Sequence, residues 1–174
     1  FHLDMFNMDF GGLSCYCDTC KRMFKEQTGK DIPTKPQWDE TWRQFLEFRY
    51  RSVERFAERL RAKALTRNPD LCVVMNYHGS PNFDWRVGQK PVRHSLFSDL
   101  GTGETYTPML GDMYPGMESR YVRNLVPGKP FEMVSWRMNR VTDFTVKPLN
   151  QLRWELFTSV ANGGSVMLID QPFH

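Results

Sequence analysis

Two carboxylates and three cysteines stand out as residues able to do chemistry. Asp4 interrupts an apolar opening segment, residues 1–8. A charge inside a buried strand is costly, so it needs a partner or a task. Glu104 lies in Gly101-Thr-Gly-Glu-Thr-Tyr106, where small neighbours let a ligand come close to the backbone. Cys15, Cys17 and Cys20 fall within six residues. Loops that short suit disulfide geometry poorly. Three thiolates can instead converge on one zinc ion, which wants four ligands. The plainer alternative is three reduced cysteines in a loop. The fourth ligand is expected upstream of Phe1, because Cys72 leads into an apolar run and reads as core.

Other candidates share one location, the ends of apolar runs. Asn76 and His78 follow Leu71–Met75, Trp136 and Arg137 close the run from Pro130, and Asp170 follows Val166–Ile169. Each has an ordinary explanation beside the functional one. A strand-end histidine is often a satisfied structural group, and a tryptophan is often packing. Asp9 rivals Asp4, but its Gly-rich setting explains an aspartate by turn formation. Arg49 lies on an apolar helix stripe, where a buried guanidinium seeks a carboxylate. Stem packing with a snorkelling head is the favoured account, with orientation of a group at the strand ends as the alternative.

The elements that must position these residues follow from periodicity. Residues 1–8 read as a strand and 18–28 as a short helix closed by Gly29. A long helix spans roughly 36–67, with Pro36 in its first turn and an apolar stripe Trp38, Trp42, Phe45, Val53, Phe56, Leu60, Ala64. Asn68-Pro69 stops it. Leu71–Tyr77 reads as a buried strand, Ser95–Leu100 as a weaker one and Pro130–Trp136 as another. Pro148–Ala161 reads as a helix with Leu149, Leu152, Leu156 and Val160 on one side, and Val166–Ile169 as the last strand. Alternating buried strands and helices predict parallel α/β architecture, in which ligands bind at the C-terminal strand edge. No GxGxxG or GxxxxGK[ST] follows a strand, so a nucleotide site has little support.

Composition sets outer bounds. The chain has 174 residues, enough for one core. It opens on Phe1 inside an apolar run and reads as a piece of something longer. No apolar run exceeds five residues, which argues against a membrane span. The net charge of +3 argues against nucleic acid. The basic excess of residues 21–67 is interleaved with Glu54 and Glu58, the pattern of a solvated helix face.

Taken together, a strand ending in a carboxylate, Cys15-Tyr-Cys-Asp-Thr-Cys20, Phe24 and a long Trp- and Arg-rich helix resemble TIM-barrel glycoside hydrolases. The likeness is greatest to the hypothetical glycosyl hydrolase group related to α-L-fucosidases. Ala161-Asn-Gly-Gly-Ser-Val-Met-Leu-Ile-Asp170 is similar to the closing strand of fucosidase barrels, although that family has Asn near position 170. β-Galactosidases with a CxCxxC zinc cluster look similar too. The resemblance covers nearly the whole chain. It implies one domain, residues 1–174, forming strands four to eight of a (β/α)8 barrel whose N-terminal part is missing. It implies a retaining exo-glycosidase acting on terminal sugars of oligosaccharides, with Asp4 as nucleophile and Glu104 as acid/base. Asn76, His78, Trp136, Arg137 and Asp170 would bind the sugar, and Cys15, Cys17 and Cys20 would hold a structural zinc, with no organic cofactor. The alternatives are a β-galactosidase-like specificity or a catalytically inactive carbohydrate-binding barrel. The full-length protein is expected to be a homo-oligomer, and the isolated 174 residues to be poorly stable and inactive.

Overall fold

A computed structural model describes residues 1–4, 7–8, 15–76, 85–140 and 143–170. In chain order the elements are β1 (His2–Leu3), α1 (Asp18–Thr28), α2 (Glu40–Arg67), β2 (Val74–Met75), α3 (Pro91–His94) and a 3-10 turn (Ser95–Phe97). They continue with β3 (Gly101–Thr105), α4 (Thr107–Leu110), α5 (Tyr114–Leu125), β4 (Phe131–Trp136), β5 (Met138–Arg140), β6 (Asp143–Val146), α6 (Leu149–Ala161) and β7 (Ser165–Ile169). The architecture is mixed α/β, and among the described residues no sheet closes into a barrel.

β1 pairs with β2, and β3 with β4 and β4 with β7, all parallel. β2 and β3 are joined by side chains and single backbone bonds rather than a ladder. Asp99 N donates to Val73 O (2.8 Å), the Met75 amide donates to Ser98 Oγ (3.2 Å), and Thr102 Oγ1 lies 3.3 Å from Met75 O. The parallel strands therefore follow one another in chain order with no reversal. β5 and β6 form an antiparallel hairpin outside that series.

The long helix begins four residues later than its first proline suggests. Asp39 caps it, its carboxylate accepting the Trp42 amide (2.8 Å). Twenty-eight residues without glycine or proline then run to Arg67. Trp42, Phe45 and Val53 are buried as the stripe predicts, but Phe56 is exposed and Trp38 lies outside the helix. Glu54 is a correction to the solvated-face reading. It is buried and accepts from Arg93 Nη2 at 2.6 Å, which ties α3 to α2. Trp38 holds φ +54°, a left-handed conformation that costs a bulky residue on the order of 1–3 kcal/mol.

The region 95–106 departs most from expectation. Residues 95–97 form a 3-10 turn, and the strand is Gly101–Thr105. Two glycines made that stretch read as a loop. They belong in a strand because α5 lies directly on it. A Cβ at Gly101 would sit 2.7 Å from Val126, and one at Gly103 would sit 2.7 Å from Val122. Helix α6 also differs in its facing. Glu155 and Ser159 are its buried residues, while Leu149 and Val160 are exposed. Cys72 is exposed rather than core.

Behind the sheet, Glu155 of α6 ties together β3, β4 and Lys147, the residue after β6. Its Oε2 accepts from Lys147 Nζ (2.7 Å), Ser135 Oγ of β4 (2.5 Å) and Thr105 Oγ1 of β3 (3.3 Å). Lys147 and Glu155 are 1% and 0% exposed. At the opposite, N-terminal end of the strands, Arg61 of α2 grips Asp99 (2.9 and 2.6 Å), whose Oδ2 also accepts the Val73 amide (2.8 Å). No described helix is long and apolar enough to cross a membrane.

Candidate active site

Side chains alternate along a strand, so Thr102 and Glu104 share one face of β3, while Gly101, Gly103 and Thr105 face the helices. Register carries that face across the sheet. Glu104 is level with Val134, and Trp136 with Ile169. Glu104, Val134 and Trp136 thus line the face away from α5 and α6, and Trp136 stands at the C-terminal edge.

Asn76 organises this face. It is buried at the end of β2. Its Nδ2 donates to Asp4 Oδ1 (3.0 Å), just past β1, and to Glu104 Oε1 (2.8 Å) on β3. Its Oδ1 accepts from Thr102 Oγ1 (3.2 Å), which fixes the orientation of the amide. Two carboxylate oxygens on one nitrogen are no more than about 6 Å apart. Carboxyl pairs of retaining glycosidases are about 5–5.5 Å apart and those of inverting enzymes about 6.5–9.5 Å. Three strands thus bring Asp4, Asn76 and Glu104 to one point, from positions 4, 76 and 104.

Glu104 is 6% exposed and takes a second hydrogen bond from the Tyr106 hydroxyl on Oε2. Burial, then the negative charge of Glu104, raises the Tyr106 pKa; Tyr114 and Asp4 add to the rise. Tyr106 therefore stays a donor. Asp4 is exposed at the edge, while Glu104 lies deeper. The arrangement offers one accessible carboxylate, one sheltered carboxylate and an amide between them. That is the equipment for general acid/base or nucleophilic work on a bond held between the two.

The remaining candidates fall into three groups. Arg137 and Asp170 meet each other, Nη1 to Oδ2 at 2.7 Å, at the C-terminal ends of β4 and β7. Trp136 Nε1 is buried without a hydrogen-bond partner among the described residues, a donor on the same face as Glu104. His78 and Asp9 lie outside the described residues. Tyr106 and Thr102 were missed by sequence reasoning. The signal was two-residue spacing from Glu104, which becomes visible only once 101–105 is read as a strand.

Arg49 is fully buried, and its head does not snorkel. Nη1 and Nη2 donate to the carbonyls of Trp85 (2.8 Å) and Arg86 (2.7 Å). It pins the stretch that enters α3 against α2.

The cysteine cluster opens α1. Cys15, Cys17 and Cys20 place their sulfurs within 4.8 Å of one another, close enough to bind one metal ion. The Cys20 amide, then hydrogen bonds from the Cys15 and Cys20 thiols, lowers the Cys17 pKa. Burial, then hydrogen bonds with Cys17 and Cys15, pushes the Cys20 thiol up to about 12. A divalent cation offsets that penalty by stabilising the thiolates. The donor set therefore fits zinc. Between the cysteines, Tyr16 packs on Phe45 of α2 (6.4 Å between ring centroids) and donates to Pro33 O (2.8 Å). The cluster is anchored to the long helix rather than to the carboxylate site.

No family model, curated protein or solved structure matches this chain.

Proposed function

We propose that the chain is the strand-four-to-strand-eight part of a (β/α)8 glycoside hydrolase barrel and that it acts as a retaining exo-glycosidase of α-L-fucosidase-like specificity. The observation that carries the reading is the Asp4–Asn76–Glu104 bridge. It brings two carboxylates from separate strands within glycosidase spacing at the C-terminal edge of a parallel sheet. Chain-order parallel strands support the barrel.

In this reading Asp4 attacks the anomeric carbon as Glu104 gives its proton to the departing glycosidic oxygen. A covalent glycosyl–Asp4 ester forms and the aglycone leaves as an alcohol. Glu104 then takes a proton from water, which attacks the same carbon and releases Asp4. Asn76 holds the pair in register, and Tyr106 holds Glu104. One observation favours a second assignment within this chemistry. Glu104 is the more buried carboxylate and accepts two hydrogen bonds, which would hold it in place as the nucleophile. The experiment for the activity is a panel of aryl glycosides offered to the intact protein. Hydrolysis with retention, fastest on the α-L-fucoside, is expected. A β-galactoside preference would move the specificity, and no turnover on any sugar would favour an inactive carbohydrate-binding barrel.

Zinc at Cys15, Cys17 and Cys20 would be structural, fixing the start of α1. Elemental analysis of the intact protein is expected to find about one zinc per chain, lost in Cys17→Ser. A zinc-free preparation with unchanged stability would reduce the cluster to loop cysteines.

A further inference from the structure

The three clustered thiols are not equivalent. Cys17 is the residue that opens α1, with an extended backbone (φ −66°, ψ 157°), and Cys20 is the third residue inside the helix. At a helix start those two positions turn their side chains toward one another. Cys15 lies outside that turn. Exposure separates the thiols as well. Cys15 and Cys17 are exposed, whereas Cys20 is half-buried and packs against the aromatic cluster that includes Phe24, Trp42 and Phe45. All three sulfurs lie within 4.8 Å of one another.

Short loops strain a disulfide, but the strain differs between the possible pairs. A bond from Cys15 to Cys17 would close the smallest ring, across Tyr16. That residue is held from outside the cluster, by Phe45 against its ring and by Pro33 O, which accepts from its hydroxyl at 2.8 Å. Cys17 and Cys20 instead enclose Asp18 and Thr19, which are already folded as the first turn of α1. Two residues between cysteines is the spacing of disulfide oxidoreductases. Closure is a rotation of the exposed Cys17 side chain toward a neighbour that the core holds in place.

We propose that Cys17 and Cys20 form a thiol–disulfide exchange site whose substrate is a small-molecule disulfide, and that closing it expels the metal. The Cys17 thiolate attacks one sulfur of the external disulfide. That S–S bond breaks, one thiolate leaves, and a mixed disulfide forms on Cys17. The Cys20 thiolate then attacks the Cys17 sulfur and displaces the second thiolate. Two electrons pass from the protein to the external disulfide, which departs as two thiols. Their protons are those the cysteines carried; where zinc had replaced these, zinc enters solution and water supplies the protons. Cys15 is left as a free thiol. The exchange site rests on the geometry of the thiols alone, and only the expulsion of metal rests on the zinc reading.

The test adds oxidised glutathione to the intact protein, follows zinc with a coloured chelator and maps the thiols by peptide mass spectrometry. The peptide carrying the cluster is expected to become two hydrogens lighter through one Cys17–Cys20 bond. Cys15 should remain open to alkylation, and zinc should appear in step with the bond. Cys20→Ser should stop at a glutathione adduct on Cys17. Cys15→Ser should form the bond within about twofold of the rate of the metal-free wild type, since exchange depends on the attacking and resolving thiols. A bond that includes Cys15, an adduct on wild-type Cys17 that never resolves, or three thiols left reduced would overturn the exchange site. A Cys17–Cys20 bond formed in a protein isolated without zinc would uphold the exchange site and remove the zinc reading. Glycosidase activity takes no part in the readout.

Discussion

Asp4→Asn is expected to cut turnover of an aryl α-L-fucoside by at least about a thousandfold, ~4 kcal/mol of barrier. The substitution keeps the shape and removes only the charge that would attack. Asn76 Nδ2 would still find an oxygen at 3.0 Å, and Glu104 would keep both its donors. A loss of this size would therefore report chemistry rather than collapse of the site. Glu104→Gln should behave differently. A good leaving group needs little protonation, so its loss should be smaller on activated aryl substrates than on a disaccharide. Steady-state kinetics on both substrate types separates the two roles. Unchanged turnover in Asp4→Asn would remove Asp4 from the mechanism.

The second large effect is on stability. Lys147→Met is expected to destabilise the intact protein by about 3–5 kcal/mol, because it removes the cation paired with Glu155 and leaves the carboxyl group without that partner in a dry site. The pair is almost wholly withdrawn from water at 2.7 Å. Replacing both residues, Lys147→Met with Glu155→Leu, should recover most of the loss, since hydrophobic residues of similar volume often match a buried ion pair. Urea unfolding of the wild type and both variants checks this. A single-variant cost below about 1 kcal/mol would mean that water or another group already supports Glu155. The effect reaches the active site through the chain. Thr105, which donates to Glu155, is the residue after Glu104.

Much of the frame was legible in the sequence because it is built from local signals. α1 matches its expected span, ended by Gly29 at φ +71°. The long helix follows from an unbroken stretch between Asp39 and Asn68-Pro69. β4 and β7 match their apolar runs within a residue. Features set by tertiary packing were not legible. β3 carries two glycines, so its pattern reads as a loop until α5 is laid against it. α5 and the β5–β6 hairpin went unread altogether. Arg49 could not be assigned to the Trp85 and Arg86 carbonyls, because its partners are more than thirty residues away.

The site divides in the same way. Asp4, Asn76 and Glu104 were each marked by their position at or near a strand end, and the structure joins them at one amide. Their convergence could not be read, because it depends on β1, β2 and β3 lying side by side. Arg137 and Asp170 were grouped as sugar ligands; the structure makes them a pair with each other. The cysteine spacing was sufficient on its own, since three sulfurs within six residues have little choice but to be neighbours.

The most direct measurement for the central claim is active-site labelling. A 2-deoxy-2-fluoro-α-L-fucosyl fluoride should form an ester that hydrolyses too slowly to escape detection. Intact-mass and peptide mass spectrometry are expected to find one fluorofucosyl group on the peptide carrying Asp4, and none on Asp4→Asn. Labelling of Glu104 instead would reverse the two carboxylate roles. A catalytically competent protein that takes no label at either carboxylate would contradict the retaining mechanism.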